Sequence, residues 1–170
     1  MRAPTWKGRP LADDARARSG PVFRLIYRSR NLIPAAERKF QLGKIFSVAR
    51  SKNKQAGVTG ALLITEDRFA QALEGPEPAV RQLYARICQD GRHGQVELLE
   101  TRDDQERVFG RGAMAKVAED GEPDIPLLTN VDKGGISPAQ PRPTTAEQDT
   151  VLDFMRQSLQ LPRQPVARGQ

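Results

Sequence analysis

Apolar and polar residues alternate over residues 22–29, the first patterned stretch of the chain. Phe23, Leu25 and Tyr27 share one parity, and Ile26 has the other. Successive side chains of a strand point to opposite faces of a sheet. The pattern therefore predicts a strand that carries Tyr27 on its apolar side.

Two later segments repeat apolar residues at the spacing of one helix face. The first helix is predicted from Pro34, which suits a first turn, to about residue 52, with an apolar stripe of Leu42, Ile45, Phe46 and Ala49. The second is predicted from about residue 77 to residue 89, with a stripe of Val80, Leu83, Tyr84 and Ile87. Each stripe indicates a helix that packs one side against the domain core.

The other patterned segments predict strands. Residues 57–65 and 68–74 flank a short polar connection, which predicts a hairpin. Residues 96–100 predict another strand and residues 113–117 a fifth. The order β-α-β-β-α-β with an added β is that of the ferredoxin-like plan. We therefore expect an α+β sandwich in which a five-stranded sheet carries two helices on one face.

A C-terminal helix is predicted over residues 144–161, with a capping box between Thr144 and Glu147. A sheet with two helices on one face leaves its other face uncovered. We expect the C-terminal helix to cover that face. Ile26 has the parity to meet it, and the helix would contribute Val151, Phe154, Met155 and Leu159.

The predicted domain occupies residues 21–120. A flexible basic arm, residues 1–20, precedes it, and a linker (121–143) and a tail (162–170) flank the last helix. Residues 1–30 hold eight basic and two acidic side chains, so they account for the whole net charge of +6. We interpret this arm as a solvated leader rather than a phosphate-binding segment. No nucleic-acid partner is expected.

Side chains for enzymatic chemistry are sparse. The single histidine is His93, and the single cysteine, Cys88, lies beside an apolar stripe and has no partner for an intramolecular disulfide. No glycine-rich phosphate loop, metal-ligand cluster, signal peptide or membrane-length apolar run occurs in the sequence. The strand at 68–74 has one aromatic ring, too few for stacking RNA bases. We expect a cytoplasmic protein that is not an enzyme and has no membrane contact.

Five short motifs follow one another along the predicted domain. They are Leu25-Ile-Tyr-Arg-Ser29, Asn53-Lys-Gln-Ala with Gly57-Val-Thr-Gly60, Phe69-Ala-Gln-Ala-Leu-Glu-Gly75, Asp90-Gly-Arg-His93, and the stretch from Phe109 to Met114. Together they resemble the BLUF family of blue-light receptors, in its short single-domain type. The resemblance implies noncovalent binding of FAD between two helices, with FMN as the alternative. It also implies that output passes to an unidentified protein partner or through a change in homo-oligomerisation.

Tyr27 and Gln71 both have the apolar parity of their strands, so each points a polar group into the interior. A buried amide without a partner costs about 1–3 kcal/mol, and a tyrosine hydroxyl and a flavin edge would both satisfy Gln71. The resemblance implies that Tyr27 gives an electron and a proton to the photoexcited ring and that Gln71 rearranges its hydrogen bonds. It implies a signal relay at Met114, although Gly112 replaces the nearby tryptophan of many relatives.

The resemblance also implies contacts to the cofactor. Asn53 would pair with N3–H and C4=O of the ring, and Arg92 would donate to C2=O. Asp90 and His93 match positions that line the same edge. Lys52 flanks the ring, at a position where relatives often carry a neutral polar or imidazole side chain.

Two other interpretations fit the sequence: a ferredoxin-like interaction module without flavin, and a basic nucleic-acid-binding module. A yellow colour with structured absorption would separate the flavin receptor from both. Salt-sensitive binding of DNA or RNA through residues 1–30 would favour the nucleic-acid binder.

Overall fold

The computed structural model describes residues 21–110, 115–117 and 145–160. Its strands are β1 (Val22–Asn31), β2 (Thr59–Ile64), β3 (Arg68–Gly75), β4 (His93–Gln105) and β5 (Ala115–Val117). Its α-helices are α1 (Arg38–Val48), α2 (Glu77–Cys88) and α3 (Ala146–Gln160). A 3-10 turn (Ala35–Glu37) leads into α1, and a π-helical turn (Ala49–Asn53) follows it.

The strands form one sheet in the order β4-β1-β3-β2-β5. The first four are antiparallel neighbours, and the short β5 adds to β2 in parallel. β1 and β3 occupy central positions, and their register places Tyr27 directly opposite Gln71. The predicted α+β class, with an antiparallel sheet and three helices, is therefore confirmed.

β4 is longer than the predicted strand at 96–100. It pairs with β1 along that whole strand, from Gln105 opposite Val22 to His93 opposite Asn31. It is also an edge strand, and many of its side chains are charged and exposed. β4 therefore stays hydrogen-bonded to β1 beyond the residues in which apolar and polar side chains alternate.

Two glycines of the motif that leads into β2, Gly57 and Gly60, have clear steric roles. Gly57 has a φ of +67°, in the left-handed region that favours glycine. At Gly60 a Cβ atom would collide with the carbonyl oxygen of Ala72 on β3. The motif thus lets the chain turn out of the π-helical turn and lets β2 approach β3 closely.

The sheet separates two hydrophobic cores. On one face, Phe23, Leu25 and Tyr27 belong to a buried cluster that also contains Phe46 of α1 and Val80 of α2. On the opposite face, a second cluster joins the sheet to α3, and its sheet residues are Ile26, Ala61, Leu63, Ala70 and Ala72. The predicted alternation along β1 is confirmed, since neighbouring residues belong to different cores.

α3 covers the sheet face opposite α1 and α2, as the sequence predicts. The side chains of α3 that contact the sheet differ in part from the predicted ones. Val151, Leu152 and Met155 are buried, and Leu159 packs against the same cluster. Phe154 is 39% exposed, so its predicted contact with the sheet is wrong. Leu152 takes its place because the buried stripe runs through residues 151, 152, 155 and 159, the spacing of one helix face.

The ends of α3 are fixed by polar contacts. Its capping box lies one residue after the predicted one: the Gln148 N–H donates to Thr145 Oγ1 at 3.3 Å, and the Thr145 N–H donates to Gln148 Oε1 at 3.2 Å. At the other end, Arg28 of β1 donates from Nη1 to the carbonyl oxygen of Ser158 at 2.6 Å. A cation at a helix C-terminus is favourable to the helix dipole.

The segment after β4 is anchored beneath α3. The N–H groups of Val108 and Phe109 donate to Glu74 Oε2 at 3.0 and 2.9 Å. The side chain of Gln148 donates to the carbonyl oxygen of Val108 at 3.0 Å. β3, this segment and the first turn of α3 are thus joined by hydrogen bonds.

Several predictions fall outside the described residues. These are the arm, linker and tail at 1–20, 121–143 and 162–170, together with Met114 and Gly112. Within the described ranges, no helix has both the length and the apolar character needed to span a bilayer.

Candidate functional site

A cavity of about 410 Å³ lies between α1 and α2, above the sheet. Its walls are largely aliphatic, with Ile45 and Val48 on α1 and Leu83 and Ile87 on α2. Its polar side chains include those of six candidate site residues, Lys52, Asn53, Gln71, Asp90, Arg92 and His93. An apolar cavity of this size with a few convergent polar groups is typical of a small-molecule site.

Tyr27 and Gln71 meet beneath this cavity. The Tyr27 hydroxyl donates a short hydrogen bond to Gln71 Oε1. Tyr27 is fully buried, and burial raises the pKa of its phenol far above the ordinary value. The phenol is therefore neutral at any physiological pH and keeps its proton for Gln71, which is 5% exposed and lines the cavity.

Asn53 lines the cavity. It ends the π-helical turn and is 6% exposed, and its backbone carbonyl accepts from the Val58 N–H at 2.8 Å. Its side-chain amide forms no hydrogen bond with any residue in the described part of the chain. The amide faces the cavity lining, so its oxygen and its NH2 group are available to a ligand that offers both a donor and an acceptor.

Asp90 and Arg92 form an ion pair in the turn between α2 and β4. Arg92 Nε donates to both carboxylate oxygens of Asp90, at 2.9 and 3.1 Å, and Nη2 adds a shorter contact. These bonds from Arg92 lower the pKa of Asp90 to about 2 and raise that of Arg92. The pair holds the guanidinium in place and leaves its Nη1 without a partner among the described residues.

His93 begins β4 and lies against the floor of the cavity. Its Nδ1 is 2.8 Å from Ser29 Oγ, and its ring centroid lies 4.6 Å from that of Phe69 and 6.2 Å from that of Tyr27. Burial, with a smaller contribution from Arg92, lowers its pKa to about 4, although Asp90 acts in the opposite direction. The imidazole is therefore neutral near pH 7.

Lys52 lines the cavity and is exposed to solvent. The sequence interpretation missed two other cations of the lining, Lys44 and Arg86. It also gave no site role to Tyr84, whose ring centroid is 5.5 Å from that of Tyr27. Tyr84 belongs to the apolar stripe of α2, and that position predicts packing against the core and no role in the site. Met114 lies outside the described residues.

Residues 22–115, more than half of the chain, match the family model described as sensors of blue-light using FAD. The chain belongs to the BLUF family. It is therefore a blue-light sensor of a family that uses FAD as its chromophore.

Curated BLUF relatives are longer proteins. The blue light- and temperature-regulated antirepressor BluF of Escherichia coli is 40% identical over 90 residues, which cover 53% of this chain and 22% of that protein. The photoactivated adenylate cyclase subunit alpha of Euglena gracilis is 36% identical over 91 residues, 54% of this chain and 9% of that subunit. The chain thus spans less than a quarter of each of these two relatives.

Solved BLUF structures share the fold. BlrB in its dark state is 28% identical with a TM-score of 0.55, covering 61% of this chain and 76% of BlrB. Klebsiella pneumoniae BlrP1 with FMN and cyclic diGMP is 33% identical with a TM-score of 0.51, covering 57% of this chain and 26% of BlrP1. The ground state of BlsA, at 23% identity and a TM-score of 0.59, covers 88% of this chain and supports the fold alone.

The cavity residues fit the flavin of a BLUF protein. The aliphatic side chains of α1 and α2 form two facing walls that suit a flat ring. The unpaired amide of Asn53 and the free Nη1 of Arg92 both belong to the lining and would offer polar contacts to the carbonyl and imide groups of the ring. Cavity shape and donor set are therefore both compatible with the cofactor of the family.

Proposed function

We propose that the chain senses blue light through FAD bound noncovalently in the cavity between α1 and α2, and that it carries out no turnover of its own. The observation that carries this proposal is the hydrogen bond from Tyr27 to Gln71 beneath the cavity. When bound, FAD absorbs blue light and accepts an electron and a proton. FMN is the alternative ligand, since it shares the same ring.

Tyr27 acts as the donor in this proposal. Its raised pKa keeps the proton on the phenol oxygen in the dark. A neutral phenol supplies both an electron and a proton, and full burial keeps water from exchanging with it. Loss of that proton removes the hydrogen bond that Tyr27 donates to Gln71.

Gln71 acts as the switch. Its carboxamide has an acceptor and a donor group that can exchange positions. With Tyr27 as hydroxyl donor, Oε1 is held toward the tyrosine. A change at Tyr27 would release this constraint, and the amide could then present a different group to the ring. Once the electron and the proton have returned to Tyr27, such an exchange would leave a changed set of hydrogen bonds with no net redox change and no covalent step.

Asn53 and Arg92 hold the polar end of the ring in this proposal. Asn53 pairs with N3–H and C4=O, and Arg92 donates to C2=O. Support comes from the unpaired Asn53 amide and from the ion pair with Asp90, which orients the guanidinium. Asp90 is therefore a positioning residue that holds the guanidinium of Arg92 at the cavity wall.

His93 and Lys52 line the rest of the site. The neutral imidazole of His93 lies beside the rings of Phe69 and Tyr27, so we assign it a packing role next to the cofactor. Lys52 is exposed beside Asn53, and we assign it to the solvent side of the bound ring.

Output would pass to a protein partner or through a change in homo-oligomerisation. The E. coli relative is named an antirepressor and the Euglena relative a cyclase subunit, so BLUF relatives occur with different outputs. We propose Met114 as a relay between Gln71 and this output. Support comes from the segment before it, which Glu74 of the Gln71 strand anchors.

The finer architecture is part of the proposal. The sheet order β4-β1-β3-β2 supports a ferredoxin-like plan with β5 as an added strand. We propose a BLUF domain over residues 21–120, a linker over 121–143 and an output helix over 144–161. We also propose a cytoplasmic location, with no binding of nucleic acid by the basic arm.

An absorption spectrum before and after blue light tests the proposal. The purified full chain should be yellow, and blue light should move its bands to longer wavelength, reversibly in the dark. Released cofactor should separate as FAD on chromatography. A colourless protein that stays colourless after incubation with FAD would instead support an interaction module without flavin.

A further inference from the structure

Phe40 is an aromatic side chain that the fold leaves in solvent. It is the third residue of α1 and is 63% exposed, more than the other large apolar residues with exposed side chains in the described ranges. Single exposed apolar residues are common and need no explanation by themselves. Phe40 differs because its neighbour connects it to the cavity.

That neighbour is Lys44, one helical turn further along α1. Its Nζ lies 4.3 Å from the centroid of the Phe40 ring, and the same side chain lines the cavity. Val48, one more turn along, is 52% exposed and also lines the cavity. Residues four apart are neighbours on a helix surface. Phe40, Lys44 and Val48 therefore form a continuous strip that leads from the cavity to the outside.

The open side of the cavity is strongly positive. Lys44, Lys52 and Arg86 line it from both walls, and all three are exposed. None of them has a carboxylate partner among the described residues. Asp90, the one carboxylate among the described lining residues, is already paired with Arg92. Exposed cations without partners raise the local concentration of anions such as phosphate esters.

We infer that Phe40 and Lys44 form a subsite for the adenosine diphosphate part of FAD. Lys44 contacts the diphosphate where it leaves the cavity, and the Phe40 ring stacks on the adenine. Aromatic side chains stack on any base because every base has a π face. This inference rests on the proposed function, since the isoalloxazine ring must occupy the cavity. It adds a determinant that favours FAD over FMN, which has no adenine.

Binding of three flavins to the flavin-depleted full chain tests the subsite. Dissociation constants are measured for riboflavin, FMN and FAD by fluorescence titration. Phe40→Ala should weaken FAD binding by about fivefold or more. A fivefold loss corresponds to the lower end of the free energy of stacking one base on an aromatic side chain. It should leave FMN and riboflavin binding unchanged. Lys44→Gln should weaken FAD and FMN but not riboflavin. Phe40→Trp should restore the preference for FAD.

Phe154→Ala is the matched control, because it removes another exposed phenyl ring, from α3 on the opposite sheet face. It should not change any of the three constants. An unchanged ratio of FAD to FMN affinity in Phe40→Ala would overturn the subsite. So would an equal loss of affinity for all three flavins, which would indicate a change in α1 itself.

The light response separates this inference from the proposed function. The unmodified chain loaded with FAD should show a reversible spectral shift. That shift together with an unchanged ratio of FAD to FMN affinity in Phe40→Ala would overturn the subsite and leave the photoreceptor intact. Absence of the shift in the unmodified, FAD-loaded chain would overturn the proposed function.

Discussion

Arg24 on β1 and Glu74 on β3 form a buried ion pair on the sheet face that α3 covers. Arg24 Nε lies 2.8 Å and Nη2 2.7 Å from Glu74 Oε1, and the Glu74 side chain is fully buried. The same carboxylate accepts the N–H groups of Val108 and Phe109. One buried acid therefore holds a neighbouring strand and the segment that follows β4.

Loss of this acid should strongly destabilise the fold. Glu74→Ala leaves the buried Arg24 guanidinium without its carboxylate partner, since the Glu106 carbonyl oxygen that Nη2 also contacts at 3.0 Å carries no charge. Breaking a buried ion pair in this way costs about 3–5 kcal/mol. Urea unfolding should show this loss in the free energy of unfolding. Glu97→Ala is the control: Glu97 pairs with Arg28 at the surface with its side chain 55% exposed, and such pairs contribute about 0–1 kcal/mol. Equal losses in the two variants would contradict a structural role for the buried acid.

Tyr27→Phe should bind FAD but lose the reversible spectral shift, because the ring still packs while the donor to Gln71 is removed. Gln71→Leu should also bind FAD and fail to shift, since no amide remains to rearrange. Absorption difference spectra measure both. Tyr84→Phe, which removes the hydroxyl of the ring 5.5 Å away, should respond normally. A normal shift in Tyr27→Phe would exclude Tyr27 as the donor.

Asn53→Ala should weaken FAD retention. It removes a directed pair of hydrogen bonds, each contributing about 0.5–1.5 kcal/mol, so the dissociation constant should rise about tenfold. Gln41→Ala is a suitable control, because Gln41 lies on the outside of α1 and bonds to Glu37. Equal FAD affinity in the Asn53 variant and the unmodified chain would make the asparagine a structural residue.

Stability should fall as the pH decreases from 6.5 toward 4. The pKa of His93 is lowered from 6.5 to about 4 by burial, so the unfolded chain binds a proton in this range that the folded chain does not. The stabilisation is complete above pH 6.5 and is lost as the pH approaches 4, on the order of 3 kcal/mol in total. The lowered pKa of Asp90, about 2, adds a loss in the same direction below pH 3.8.

Urea unfolding at pH 7 and pH 5 measures this effect. His93→Gln keeps a polar partner for Ser29 and removes the titrating group, so it should lose less stability between the two pH values than the unmodified chain. The same pH dependence in both proteins would assign the effect to another residue.

Amide exchange of α3 should change with light if this helix carries the output. Its contacts with β1, β3 and the Val108 segment join it to the strands of Tyr27 and Gln71. We expect faster exchange over residues 146–160 after illumination, measured by mass spectrometry. Gln71→Leu should show no light-dependent difference. Equal protection in light and dark in the unmodified chain would make α3 a passive cover.

The meeting of Tyr27 and Gln71 could be predicted because strand alternation is strict. Both residues share the parity of large apolar neighbours, and a buried amide requires a partner. The sequence also predicted that α3 would cover the free sheet face, because a second apolar surface had no other cover. These results follow from local periodicity and from the need to bury apolar area.

Other features depend on details that periodicity does not contain. Phe154 and Leu152 are both apolar, and only the way α3 rests on the small Ala70 and Ala72 decides which is buried. Thr144 and Thr145 are equivalent as caps in the sequence. No feature of the sequence distinguishes Lys44 from other lysines on helix surfaces, and only the fold shows that it lines the cavity.

α3 is covalently joined to the apolar surface on which it rests. A segment tethered to its own binding surface competes at an effective concentration on the order of millimolar. A partner that recognised the same sheet face would have to displace this internal competitor, so its apparent affinity would be lower than its affinity for the bare sheet. The sheet face is therefore already occupied by α3. The affinity of a partner for this face would measure how tightly α3 is bound to the sheet in the dark and in the light.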